Sequence, residues 1–293
     1  LTQHINATAH FTGDSCEIWV GTQSGERVAQ AVMKATGLPQ EKITVHVLNS
    51  GGSFGRRYYP DSSIEASYLS KVLSKPVKLT WSREDEIMHD YFHPYQRSRH
   101  KAIISPQGKV TGWYAGLIRA EDYMEGLTRW EIPYFFDTIK TESNVIEGMV
   151  HVGAWRSVGP HSSSLGKECF MDELAVRLNK DPLEFRLEML QGEIVQEGND
   201  DFAKVIVNYR KVLQERYIAV LNTIKEKGLW TAPKKGEGRG IAIENFSRTV
   251  CAHIVDVSID NSYNGIKVNK VTSVVHCGTV VNPHFGRGQI EGA

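Results

Sequence analysis

Three glycines within five residues, Gly51-Gly52-Ser53-Phe54-Gly55, separate a strand pattern at residues 43–48 from a helix pattern that starts near Ser62. Such a run dictates strand, sharp turn, helix, because glycine alone enters left-handed backbone without strain. It also clears side chains from the turn, so that backbone amides can face a bound group. Arg56 and Arg57 follow directly, and two guanidiniums beside the turn suit an anionic ligand such as a phosphate or an oxo group. The spacing matches neither nucleotide signature. A phosphate loop needs Lys-Ser/Thr after its last glycine, and the dinucleotide fingerprint needs Gly-x-Gly-x-x-Gly. Alone, the loop fits a phosphate, a nucleotide or no ligand.

Strand and helix patterns alternate around it. Residues 17–20 read as a strand and 26–36 as a helix closed by Gly37. The helix from Ser62 to about residue 73 is expected to open with a capping box between Ser62 and Glu65. Residues 76–81 alternate as a half-buried strand, and 100–105 with 109–120 form a hairpin about Pro106-Gln107-Gly108. Leu165, Cys169, Leu174 and Leu178 share one helical face. Asp181-Pro182-Leu183-Glu184 then restarts a helix that runs to Gly192, and residues 202–224 carry an amphipathic helix ending at Gly228. Residues 231–238 read as a linker. Beyond it come strands at 241–246, 250–259 and 266–276, with a turn at 261–265. The mixture predicts an α+β fold, with residues 1–230 as a first region and 231–293 as the truncated start of a second.

Composition narrows the classes. The 34 basic residues balance 34 acidic ones, which gives no support for a nucleic-acid surface. No apolar run approaches the roughly 20 residues that span a bilayer. The chain opens at Leu1 without a methionine or a signal-like segment and stops inside Gln289-Ile290-Glu291-Gly292-Ala293, which reads as a piece of a longer polypeptide. Cys16, Cys169, Cys251 and Cys277 lack Cys-x-x-Cys spacing and read as buried reduced thiols. The histidines lack metal-ligand spacing, His93 and His161 read as surface or packing residues, and no Gly-x-Ser-x-Gly elbow occurs.

Three more segments carry chemistry. Gly153-Ala154-Trp155-Arg156-Ser157-Val158-Gly159 sets a flat aromatic and a guanidinium before a helix, as an anion or substrate pocket would. Val275-His276-Cys277-Gly278 ends a strand in a polar turn, and Gln289 with Glu291 then opens a helix. The Gln289 amide can both donate and accept on a heterocycle, whereas Glu291 reads as a first-turn charge on the helix dipole. Trp19-Val20-Gly21-Thr22-Gln23 delivers a glutamine between strand and helix.

In this order, together with Trp81-Ser82-Arg83-Glu84-Asp85, Asp172-Glu173-Leu174-Ala175 and Asp181-Pro182, the segments resemble the molybdenum-cofactor-binding large subunit of the xanthine oxidase superfamily. The nearest branch is the isoquinoline 1-oxidoreductase β-subunit and aldehyde dehydrogenase type. The resemblance implies the molybdopterin-binding fold of that family. It implies that Gly51, Gly52 and Gly55 admit the molybdenum centre, with the Phe54 backbone facing a metal oxo ligand and Arg56 alongside. Ala154, Trp155 and Arg156 become the second cofactor loop, with Trp155 and Arg156 at the substrate side. Gln23 and Gln289 contact the cofactor, which is the cytosine dinucleotide form of molybdopterin. The metal is held by the pterin rather than by protein side chains.

The implied reaction is hydroxylation of an aldehyde or N-heteroaromatic with water. Electrons leave through iron–sulfur clusters on a small partner subunit, then to a cytochrome c acceptor. The remainder of the large subunit, a small-molecule substrate and a bacterial setting, periplasmic, cytoplasmic or membrane-associated through partners, complete the expectation. The family's catalytic glutamate, in a Gly-Glu-Pro-like motif, is absent. Glu237 sits in a lysine-rich linker context and is not its substitute, and Ser53 stands where relatives often carry glycine. The rival readings are a scaffold fragment that keeps the fold without the cofactor, and a nucleotide-binding α/β enzyme.

Overall fold

A computed structural model of the chain describes residues 3–120, 132–146, 148, 150–195, 200–260 and 265–292. They form two units, Leu1–Tyr95 with Ile146–Val158, and Gln96–Val145 with Gly159–Ala293.

Unit 1 is built on a four-stranded sheet of β1 (Asn6–Phe11), β2 (Cys16–Val20), β3 (Ile43–Val47) and β4 (Val77–Thr80), ordered β3-β2-β1-β4. β1 runs antiparallel to β2 and β4, whereas β2 and β3 are parallel because α1 (Gly25–Thr36) makes the crossover. α1 stops at Gly37, as its sequence implies, and starts on the Ser24 cap. α2 (Asp61–Leu73) lays Ser62, Ser63, Ala66, Ser67 and Ser70 toward β1, which answers with Ala7 and Ala9. Small residues on both sides let helix and sheet approach closely. The expected Ser62–Glu65 capping box does not form. The helix opens one residue earlier, with the Pro60 carbonyl accepting from Ser63 and Ile64, while Glu65 accepts from the Trp81 indole at 2.7 Å. A capping box instead starts α3 (Arg83–His89), between Ser82 and Asp85.

Unit 2 holds two three-stranded sheets. The first is ordered β5 (Gln96–Ile104), β6 (Val110–Ala120), β7 (Thr138–Ile146). The second is ordered β10 (Gly265–His276), β9 (Thr249–Asp260), β8 (Glu237–Phe246). The expected strand at 100–105 begins four residues earlier, since Gln96 to Arg99 pair along β6. α4 (Val158–Arg177), α5 (Pro182–Met189) and α6 (Asp201–Glu226) contribute Met171, Leu174, Phe185, Tyr217 and Leu221 to a core with Trp113, Ile243 and Ile254. α5 takes Asp181 as N-cap and Pro182 at its first turn, as predicted, but ends at Met189 before Gly192. The turn expected at 261–265 falls mostly outside the described residues. No described helix is long and apolar enough to cross a membrane.

A polar network runs through this core. Arg186, fully buried, donates to Glu168 at 3.0 Å and Asp172 at 2.7 Å. Glu168 also accepts from the Tyr134 hydroxyl at 2.9 Å and the Ile243 amide at 3.0 Å. Lys167 pairs with Glu244 at 2.6 Å, and Tyr217 donates to Asn245 at 3.0 Å. Burial, then the carboxylates of Glu168 and Glu244, hold Tyr134 and Tyr217 well above the ordinary tyrosine value.

The unfolded chain releases these protons near pH 10, while the folded chain keeps them. Unfolding is therefore favoured as pH rises through that value, and the stability is intact below it. We expect a loss of about 1.4 kcal/mol per pH unit for each tyrosine above about pH 10, read as a falling denaturant midpoint. A flat midpoint up to about pH 11 would contradict this coupling.

Candidate functional site

The glycine loop leaves β3 exposed and closes in a single 3-10 turn at Arg56–Tyr58. Phe54 has φ +53° and Gly55 φ +104°, so two consecutive residues take left-handed backbone. The Gly51 amide donates to the Gln3 side chain at 3.0 Å. The amides of Ser53, Phe54 and Gly55 find no acceptor among the described residues.

The second loop packs on the first. A Cβ on Gly55 would lie 2.6 Å from the Ala154 carbonyl oxygen and 3.3 Å from the Trp155 Cα. Only glycine fits there, by conformation and by space. The Arg156 amide donates to the Phe54 carbonyl at 3.0 Å, and the Arg156 guanidinium lies 5.6 Å from the Phe54 ring centre. No carboxylate pairs with it among the described residues. Trp155 meets His93 edge-on at 5.5 Å yet stays 47% exposed, and Ser157 takes φ +66°. Backbone strain at Phe54 and Ser157 costs roughly 1–3 kcal/mol each, and loops that hold such strain cluster at functional sites.

The rest of unit 1 holds the second loop in place. Val152 bridges Phe92, the Gly153 amide donates to the Phe92 carbonyl at 2.9 Å, and the Ala154 amide donates to the Tyr59 hydroxyl at 2.8 Å. Tyr59 stacks on Tyr91 with centroids 4.2 Å apart. Gln23 sits exposed at the turn before α1, its amide donating to the Arg57 carbonyl at 3.0 Å. Unit 1 thus brings together Gly51, Gly52, Phe54, Gly55, Ala154, Trp155 and Arg156, with Gln23 tied to the same loop through Arg57.

The two arginines behave differently from the sequence expectation. Arg56 is buried, donating to Asp61 at 2.7 Å and to Asp90, with its guanidinium 4.9 Å from the Tyr91 ring centre. Arg57 is buried as well, donating to the carbonyls of Gly21 at 3.0 Å and His4 at 2.8 Å. Their hydrogen-bonding groups are engaged inside unit 1 by the acidic and carbonyl acceptors just named. Arg156 is the guanidinium left facing the loop. Burial and the Asp61 carboxylate push Tyr91 up to about 12, so its hydroxyl remains a donor to Asp61 at neutral pH. Sequence reading missed Tyr59, Asp61, Asp90 and Tyr91. Tyr58-Tyr59-Pro60-Asp61, directly after the arginines, was the available signal for two of them.

Gln289 belongs to unit 2. Asn282 caps α7 (Pro283–Glu291), which opens with Pro283 in its first turn, so Gln289 and Glu291 do not start the helix as expected. An Asn-Pro pair satisfies the helix start better than a glutamine does, and the first-turn role read for Glu291 falls away. Gln289 and Arg287 on α7 face Thr272 and Ser273 on β10 across a cleft of about 1150 Å³. Two cysteines depart from the buried reading, since Cys169 and Cys277 are exposed. Among the described residues no cluster of His, Cys, Asp and Glu could hold a metal ion.

The molybdopterin cofactor-binding domain family matches residues 2–190, and a second domain family of the same description matches residues 170–293. The membrane-bound aldehyde dehydrogenase (pyrroloquinoline-quinone) of Gluconacetobacter polyoxogenes is 30% identical over 98% of this chain and 40% of its own length. The beta subunit of isoquinoline 1-oxidoreductase from Brevundimonas diminuta is 26% identical over 95% of this chain and 36% of its own. The chain therefore spans about two fifths of the length of these two relatives. Quinoline 2-oxidoreductase from Pseudomonas putida 86 superposes with a TM-score of 0.60 at 18% identity, covering 83% of this chain and 34% of that one. The aldehyde oxidoreductase of Desulfovibrio gigas gives 0.60 at 17%, over 91% and 31%. At such identities the likeness speaks for the fold.

Proposed function

The chain belongs to the molybdopterin cofactor-binding family of the xanthine oxidase superfamily, and from that premise we propose that it is part of a molybdenum hydroxylase catalytic subunit acting on an aldehyde or an N-heteroaromatic compound. The observation that carries this reading is the packing of the Gly55 loop on Ala154 and Trp155, which leaves on one patch of unit 1 an exposed phenylalanine and, among the described residues, open amides and a guanidinium without a carboxylate.

The residues present fit a pterin that brings its own metal. Ser53, Phe54 and Gly55 offer consecutive amide donors to an electronegative group, and the missing Cβ at Gly55 makes room for the Ala154 carbonyl that packs the second loop beside them. Gly51 and Gly52 belong to the same approach, with Ala154 opposite. The assignment of Gln23 and Gln289 to the cofactor, as its cytosine dinucleotide form, rests on the resemblance. When bound, the cofactor supplies two-electron oxidation with water as the source of the inserted oxygen. Arg156, fixed by its backbone bond to Phe54, places a permanent positive charge where a substrate's developing negative charge can be met. Trp155 gives a flat apolar wall for an aromatic or aldehyde substrate. Arg56, clamped by Asp61 and Asp90, positions the loop from behind.

The domain division at residue 230, a small iron–sulfur partner, a cytochrome c acceptor and the remainder of the large subunit are parts of the same proposal. Relatives whose names mark them as single subunits of isoquinoline 1-oxidoreductase and of nicotinate dehydrogenase support an assembly of several chains. The quinone in one relative's name is not carried over, because both matched families are molybdopterin-binding.

The test is oxygen provenance. The full-length protein, purified with its partner chains, is given aldehydes and N-heteroaromatics in water enriched in oxygen-18. The hydroxylated product should carry the label. Turnover with an unlabelled product would overturn the hydroxylase reading. A full-length protein that binds no cofactor and turns nothing over would favour the scaffold reading.

A further inference from the structure

A cluster of reactive side chains lies on the face of the β8–β9–β10 sheet opposite the core. Ala252 and Ile254 point into the core, which turns their neighbours Cys251 and His253 outward. Ser273 on β10 is the register partner of His253. The Cys251 Sγ lies 3.5 Å from His253 Nε2, and His253 Nδ1 lies 2.8 Å from Ser273 Oγ. A thiol, an imidazole and a hydroxyl thus follow one another across two strands, the arrangement of nucleophile, base and orienting group. His253 and Ser273, with Cys277, line the cleft whose helical wall carries Gln289, and Cys251 stands beside His253 outside that lining.

We propose that Cys251, with His253 as its base and Ser273 as the group that orients the imidazole, is a nucleophilic thiol site that takes a soft carbon electrophile, an α,β-unsaturated carbonyl. In the tautomer that carries its hydrogen on Nδ1, Ser273 Oγ accepts that hydrogen and the Nε2 lone pair is left for the thiol proton. Burial pushes the Cys251 thiol up and the His253 imidazole down, so both rest neutral and the proton leaves sulfur only as the new bond forms. In the addition, the Sγ–carbon bond forms as the carbon–carbon π bond breaks. The thiol proton passes to Nε2 and from there to the α-carbon. No oxidant or second reactant is required.

The proposal is independent of the molybdopterin reading, because alkylation is read whether or not a cofactor is bound. The full-length protein is treated with N-ethylmaleimide under native conditions, and each cysteine is followed by peptide mass spectrometry. Exposed Cys169 serves as the reference, exposed Cys277 reports access to the cleft that it lines with His253, and buried Cys16 reports unfolding. General-base assistance is worth roughly 10²–10⁴ in rate, so His253→Gln should slow Cys251 alkylation by at least about tenfold and leave Cys169 and Cys277 unchanged. Ser273→Ala should slow it less. Should His253→Gln expose Cys16, the Ser273→Ala comparison decides. The proposal is overturned if Cys251 stays unmodified in the native protein, or if it reacts at the wild-type rate in the folded variant.

Discussion

Gly55→Ala is expected to separate the two loops of unit 1 and to abolish cofactor retention. The substitution forces an alanine into φ +104° and drives its Cβ to 2.6 Å from the Ala154 carbonyl oxygen, a backbone atom that cannot swing aside. Gly13 provides the control. It has φ +96° but no neighbour within 4 Å, so Gly13→Ala isolates the conformational cost, about 1–3 kcal/mol. Gly55→Ala carries the same strain plus the clash, and the relief available is to move residues 153–157 away. Hydrogen exchange at the Arg156 amide, which donates to the Phe54 carbonyl in the wild type, should quicken in Gly55→Ala and not in Gly13→Ala. Equal exchange and equal cofactor content in the two variants would show that loop packing does not hold the site.

Arg186→Met should destabilise unit 2 by about 3–5 kcal/mol, because it strands the Glu168 carboxylate in the core. Arg186 is fully buried and binds Glu168 through its side chain and also at its carbonyl, 3.0 Å away, so with Asp172 one guanidinium satisfies three acceptors on α4. Asp172 is part of the same cluster but half in solvent, so Asp172→Asn should cost under about 1 kcal/mol. Replacing both partners, Arg186→Met with Glu168→Leu, removes the stranded charge and should recover much of the loss. Denaturant unfolding of the three variants separates these outcomes. A single-variant loss below about 1 kcal/mol would mean that Glu168 takes up a proton or finds another partner.

What the sequence made legible were elements that carry their own stop and start chemistry. α1 ends at Gly37, α5 begins at Asp181-Pro182, and the last three strands alternate clearly enough to be placed within a few residues. β1 was missed because Asn-Ala-Thr-Ala-His-Phe has little hydrophobic signal of its own. Its burial comes from the serine face of α2, some 60 residues later. The glycine loop and the Trp155-Arg156 segment are both visible in the sequence, yet their contact was not derivable locally, since it depends on Tyr59, Phe92 and Tyr91. Arg56 reads as ligand-facing because Asp90, which helps to turn it inward, is distant in sequence. The start of α7 is legible in Asn282-Pro283, although the polar side chains of Gln289 and Glu291 mimic a helix start seven residues later.

The central claim is that the loops of residues 51–57 and 153–157 hold a pterin-borne molybdenum. Metal and pterin analysis of the full-length protein, purified with its partner chains, tests it most directly. The account predicts molybdenum and pterin in equal amounts, approaching one of each per chain, with both lost together in Gly55→Ala. Full-length, folded protein that carries neither molybdenum nor pterin would contradict it.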